Sequence, residues 1–186
     1  MVAGGNNQRG HIDKTYATYL TAALDSVLLT FTIDAKEGRD VAIIDITNAF
    51  VTTRIEDKND IVTVRLRGKL AELMVATAPE IYKKYVPVNR KGELVLYVEA
   101  LNALYGIMKA ALLWYKKFVK NLKSIGFELN HYDPCVSNKI VDGAQLTVVW
   151  HVNDLKVSHV DGGVVTQMSV WLQKTYFFYL MTVQGL

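Results

Sequence analysis

Few residues in this sequence are suited to chemistry, and they stand in apolar surroundings. Asp45 lies near the end of the run Val41-Ala42-Ile43-Ile44-Asp45-Ile46. A carboxylate in such a run is costly unless it is paired, hydrogen-bonded or on a cation. The ordinary alternative is a strand-end acid that reaches water. Asn153 and Asp154 separate two β-rich runs, 144–152 and 155–159, and read as a two-residue turn. Both residue types tolerate the left-handed backbone that such turns require. An acidic turn between strands suits a metal ion; it is also a common turn with no function. His151 and His159 lie on these strands and read as satisfied surface or core groups rather than zinc ligands. On spacing alone, Phe50, Tyr105 and Trp114 read as core aromatics and Gly106 as a turn residue. Cys135 is the one cysteine, so an intrachain disulfide is excluded, and it reads as a buried strand residue.

The elements that must position these residues are legible in the apolar periodicity. A helix is expected over 21–36, with Thr21 as N-cap and Gly38 as the stop. The apolar run 41–46 then reads as a strand buried on both faces. Residues 56–60 form a polar turn and 61–66 a strand. Helical patterns cover 69–77 and 80–85, broken by Pro79. A basic turn at 89–92 leads into a strand over 93–98. A long helix follows over 109–125, with Leu112, Tyr115, Phe118, Val119 and Leu122 at helical spacing and Gly126 at its end. Strand 135–141 meets strand 144–152 across Asp142-Gly143, a strong hairpin signal. A last helix over 164–176 precedes a strand-like tail, 177–186. Residues 1–12 read as loop. This order predicts an α+β fold: an antiparallel sheet with helices on one face, similar to a split βαβ, ferredoxin-like core.

Composition narrows the class. With 186 residues, 51% hydrophobic and 21% charged, the chain can bury a core and is not intrinsically disordered. No apolar run is long enough for a membrane span, and no signal peptide is visible, so no membrane partner and a cytoplasmic location are expected. A net charge of +3 permits a polyanionic partner without requiring one.

Four motifs in order resemble the reverse transcriptase of copia-type retrotransposons. Ala42-Ile43-Ile44-Asp45-Ile46 through Ala49-Phe50 resembles the first catalytic motif of that family. Asn102-Ala103-Leu104-Tyr105-Gly106-Ile107 through Trp114 resembles its Ser-Leu-Tyr-Gly-Leu-Lys-Gln-Ala-Pro-Arg-Ala-Trp segment. Tyr132-Asp133-Pro134-Cys135 matches its Asp-Pro-Cys, and His151-Val152-Asn153-Asp154 stands where it carries Tyr-Val-Asp-Asp. Val2 to Gln8 is similar to the end of a fingers strand. The resemblance spans nearly the whole chain.

It implies a polymerase palm with partial fingers. Residues 1–40 would be the partial fingers segment and first helix. Residues 41–186 would be the palm, with a fingers insertion around 54–98 and the thumb absent. It implies RNA-directed DNA synthesis by two magnesium ions held on carboxylates. Asp45 would bridge the metals, with Asn153 and Asp154 at the two hairpin aspartate positions and Asp154 as the other metal ligand. Phe50 would lie under the sugar of the incoming nucleotide, Tyr105 and Gly106 would line the template–nucleotide pocket, and His151 would face the primer end. The implied partners are a template–primer duplex of RNA or DNA and deoxynucleoside triphosphates, within a larger polyprotein and a retrotransposon particle.

The sequence departs from the family at three places. Asn153 replaces an aspartate, which removes a negative charge and weakens magnesium binding. Ala111 replaces a proline, and Met108, Lys109, Leu112 and Leu113 also differ. The basic fingers residue, thumb and RNase H region fall outside the sequence. A degenerate or truncated copy with impaired catalysis is therefore expected. The alternative is a non-catalytic nucleic-acid-binding module on the same fold, suggested by Lys116, Lys117, Lys120 and Lys123 with Arg65, Arg67 and Lys69.

Overall fold

A computed structural model describes residues 21–56, 62–88, 91–107 and 109–176, and the backbone of 178–183. Val2 to Gln8, most of the 56–60 turn and half of the 89–92 turn lie outside the described residues.

The chain is α+β, as expected. Helix α1 (Leu24–Glu37) ends where Gly38 turns left-handed at φ 61° and leads into β1 (Asp40–Ile46). An excursion follows: β2 (Thr63–Arg67), α2 (Lys69–Thr77), the short α3 (Pro79–Tyr82) and β3 (Val95–Glu99). Strands β2 and β3 pair as a separate two-stranded sheet, with Leu66, Ala71 and Leu96 buried between sheet and helix. The chain then forms α4 (Ala110–Ser124), β4 (Glu128–Leu129), β5 (Val136–Val141), β6 (Ala144–His151), β7 (Asp154–His159), α5 (Gly162–Thr175) and β8 (Phe178–Val183). The main sheet is antiparallel throughout, in the order β4-β5-β6-β7-β1-β8. Asp142 and Gly143 have φ of 50° and 82°, so the β5–β6 turn has the two left-handed residues that its sequence predicts.

One face of the sheet holds the core. Ala42, Ile44, Ile46, Leu146, Val148, Trp150, Leu155 and Val157 meet Trp114, Phe118 and Leu122 of α4 and Val165, Met168 and Leu172 of α5. The helices of the 41–186 region that cover the sheet thus lie on one face. Trp114, Phe118, Trp150 and Tyr176 form its aromatic centre, with Trp114 stacked on Phe118 at 5.4 Å and Trp150 edge-on to Phe118 at 5.2 Å. Burying side chains of this size contributes about 1.5–3 kcal/mol each.

The strand over 41–46 departs from the expectation of burial on both faces. Ala42, Ile44 and Ile46 are buried, but Val41, Ile43 and Asp45 are half-buried. That second face is covered by α1 along part of its length. There Asp34 of α1 pairs with Lys156 of β7, and Arg39 Nη1 donates to Thr147 Oγ1 of β6 at 3.1 Å. α1 is not capped by Thr21. Its N-cap is Ala23, whose N–H donates to Asp133 Oδ2 at 2.8 Å, while Thr21 bridges to His151. Asp133 Oδ1 also accepts from Cys135 N, so one carboxylate anchors both a helix start and a strand start.

Candidate functional site

The site is assembled from the ends of β1 and β7. Both strands place alternate residues on each face, and their register sets Asp45 directly opposite Asp154. Opposed residues on an antiparallel pair share a face, with Cβ atoms about 4.5–5.5 Å apart, and like charges there repel. Asp45 is half-buried and Asp154 exposed.

The turn above this pair is not the one expected. His151 pairs with Asp154, so the two loop residues are Val152 and Asn153, and Asp154 is the first residue of β7. Val152 has φ of 60°, an outlying conformation for a β-branched residue. It is held there from outside the hairpin. Trp114 Nε1 donates to Val152 O at 2.7 Å, and Ile46 N donates to Asn153 O at 3.0 Å.

These bonds bring Asn153 over Asp45. Its Nδ2 donates to Asp45 Oδ1 at 2.5 Å. The opposite amide orientation would set two oxygens against each other, so this is the attractive arrangement. The amide donor sits against the carboxylate oxygen as a cation would. The donors present fit one divalent cation, held by Asp45 and Asp154 with further oxygens from solvent or phosphate. A second cation would lack a carboxylate of its own. Among the described residues, no group of three or more His, Cys, Asp or Glu side chains gathers as a metal site.

The remaining expected residues form a second group. Phe50 and Tyr105 pack ring to ring, 5.0 Å between centroids and tilted by 58°. Phe50 is half-buried, Tyr105 is 38% exposed, and Gly106 has φ of 91°. Three bonds hold this pair's segments together. Ile55 N donates to Leu101 O at 2.9 Å, Ala103 N to Thr53 O at 2.8 Å, and Asn102 Nδ2 to Val51 O at 2.6 Å. The first motif is thus tied to the second, and Trp114 ties the second to the β6–β7 turn. His151 is exposed at the rim beside Asp154.

His159 is a satisfied core residue, 1% exposed. Its Nδ1 accepts from Asp161 N at 3.0 Å, which leaves Nε2 to donate to Val141 O at 3.3 Å. Cys135 is buried, and burial with the nearby Asp133 carboxylate pushes its thiol up to about 12. Both findings agree with the readings from sequence. Sequence reasoning missed the roles of Asp133 and of Trp114 Nε1; the only available signals were the Asp-Pro-Cys motif and an indole on the long helix.

No protein-family model matches the chain, and no curated protein matches it. Among solved structures it is similar to telomerase from Candida albicans in complex with the TWJ fragment of telomeric RNA, at 10% identity and a TM-score of 0.43. That match covers 96% of this chain and 33% of the telomerase chain, so the chain spans about a third of its length.

Proposed function

We propose that this chain is the palm, with part of the fingers, of an RNA-directed DNA polymerase of the copia retrotransposon type, impaired in nucleotidyl transfer. The observation that carries this reading is the opposition of Asp45 and Asp154 across β1 and β7, beneath the Val152–Asn153 turn. In this reading Asp45 and Asp154 hold magnesium. Phe50 lies under the incoming sugar, Tyr105 and Gly106 line the template–nucleotide pocket, and His151 faces the primer end. The excursion between Arg54 and Asn102, which bridge to each other, is the fingers insertion. The substrates are a template–primer duplex and deoxynucleoside triphosphates, and the chain works in the cytoplasm as part of a retrotransposon polyprotein and particle. Among the described residues no helix is long and apolar enough to cross a membrane.

A bound divalent cation would supply positive charge for the primer hydroxyl and the triphosphate. The chain's own part is to aim two carboxylates at that cation and to shape the sugar pocket. Asn153 works against this, because its amide donor occupies an Asp45 oxygen and adds no charge. Loss of an outer-shell partner alone costs about 10–100-fold in metal affinity or activity, and loss of a ligand's charge costs at least that.

Primer extension on an RNA template with magnesium or manganese tests the reading, comparing the chain with Asn153→Asp. The variant is expected to extend at least about 10-fold faster than the unmodified chain. Equal, robust extension by the unmodified chain would overturn the impairment. Extension by neither chain would overturn the assignment of polymerase activity.

A further inference from the structure

We propose that the groove between segment 52–56 and helix α4 binds the sugar-phosphate backbone of a nucleic-acid strand, independently of the Asp45–Asp154 site. The groove has a volume of about 440 Å³, and its charged lining is Arg54, Glu56, Lys116, Lys117 and Lys120. Four of these are cations and one is a carboxylate, so the field favours an anion.

The cations have two roles. Lys116 and Lys120 are exposed, one helical turn apart on α4, and exposed Lys123 extends the row by another turn. Such neighbours stand about 5–6 Å apart, which suits an anion repeated along a chain rather than a single one. Exposed Arg54 stands on the segment across the groove. Lys117 is half-buried and structural. Its Nζ donates to Thr52 O at 2.8 Å and lies 5.7 Å from the Tyr176 ring centroid, so it pins the segment to the helix and fixes the groove's width. Burial also lowers its pKa, with nearby Glu56 acting the other way, and a bound phosphate would favour its charged form.

The lining suits a phosphate backbone. Three of the four cations are lysines, which bind phosphate as point charges, and those of α4 stand in a row that a repeated anion can follow. Tyr176 is 5% exposed and its hydroxyl oxygen accepts from Asn121 Nδ2 at 2.5 Å, so it offers no open face for a base. The contact is therefore with the backbone and is indifferent to sequence. Arg65 and Arg67, equally basic in the sequence, lie on β2 in the other sheet and line no part of this groove.

Fluorescence anisotropy of the full chain with a labelled single-stranded DNA of mixed sequence, in EDTA across a salt series, tests the proposal. Binding is expected to weaken steadily with salt. The double variant Lys116→Gln/Lys120→Gln should bind about 10-fold more weakly and flatten the log-affinity against log-salt slope by about 1.4, at about 0.7 per contact. Arg65→Gln/Arg67→Gln should change affinity less than about twofold, and polyglutamate should not displace the DNA. No binding by the parent chain, equal loss in both double variants, or displacement by polyglutamate would each overturn the proposal. All four substituted side chains are exposed, and matching thermal melts would show that each variant folds. With neither metal nor nucleotide present, the outcome does not depend on the polymerase reading.

Discussion

At Asn153 the difference between an amide and a carboxylate sets stability as well as chemistry. The 2.5 Å bond from Asn153 Nδ2 to Asp45 Oδ1 is charge-assisted, and such bonds contribute about 1.5–3 kcal/mol. Asn153→Asp removes it and adds a third carboxylate beside an opposed pair. In EDTA the variant should be less stable than the parent by about that amount in denaturant unfolding and should melt at a lower temperature. Millimolar magnesium or manganese should recover the loss in the variant and stabilise the parent less, because the variant gains the stronger site. A magnesium-dependent rise as large in the parent as in the variant would contradict this. The sequence made the polar residues of this hairpin legible but misplaced its turn by one residue. The bonds that position Val152 and Asn153 come from Trp114 and Ile46, distant in sequence, and no local pattern encodes them.

At the scale of elements, α1 shows what periodicity conveys and what it omits. Its helical period and its Gly38 stop were legible, because the 3.6-residue pattern and a left-handed glycine are local properties, but its start was placed too early. The face of the sheet it covers was not, because that depends on partners across the fold. Asp34 and Lys156 are both buried and pair with each other there. Burial lowers the Lys156 pKa, with the Asp34 bond and charge acting the other way and Arg39 adding to the decrease. Asp34→Ala would leave a buried ammonium unpaired, and a loss of about 3–5 kcal/mol is expected in denaturant unfolding. Lys156→Met leaves the Asp34 carboxylate buried without its partner and should cost a similar amount, and the Asp34→Ala/Lys156→Met double variant should recover part of either single loss. An exposed, weakly coupled pair would instead show additive losses. On α4, spacing picked out Phe118 and Leu122 of the buried face, whereas Leu112, Tyr115 and Val119 are only half-buried. Arg54 gave no such signal, since it joins the lysines of α4 only once the 52–56 segment is pinned against the helix.

For the whole molecule, the core fixes how stability responds to alkali. Burial is the main cause that raises both Cys135, from 9.0, and Tyr176, from 10.0, to about 12. The folded state therefore holds these protons more tightly than the unfolded chain. Their contribution is complete below pH 9 and is lost as pH rises toward 12. Thermal melts over this range should fall, and Tyr176→Phe should flatten the part of the decline above pH 10. A variant as sensitive as the parent would show that the phenol does not carry it.

The position of β1 also governs how the molecule comes into being. This strand precedes most of the described elements, yet both of its neighbours in the sheet, β7 and β8, come late in their order. During synthesis Asp40–Ile46 waits without its sheet partners until β7 and β8 are made. Contacts this distant in sequence slow folding, and an unpaired apolar strand invites pairing between chains. A chain ended before Phe178 would keep one side of β1 open, and light scattering should find it self-associating where the longer chain stays dispersed. Asp45 meets Asp154 only once β7 has paired with β1, so the candidate site cannot exist before β7 is made.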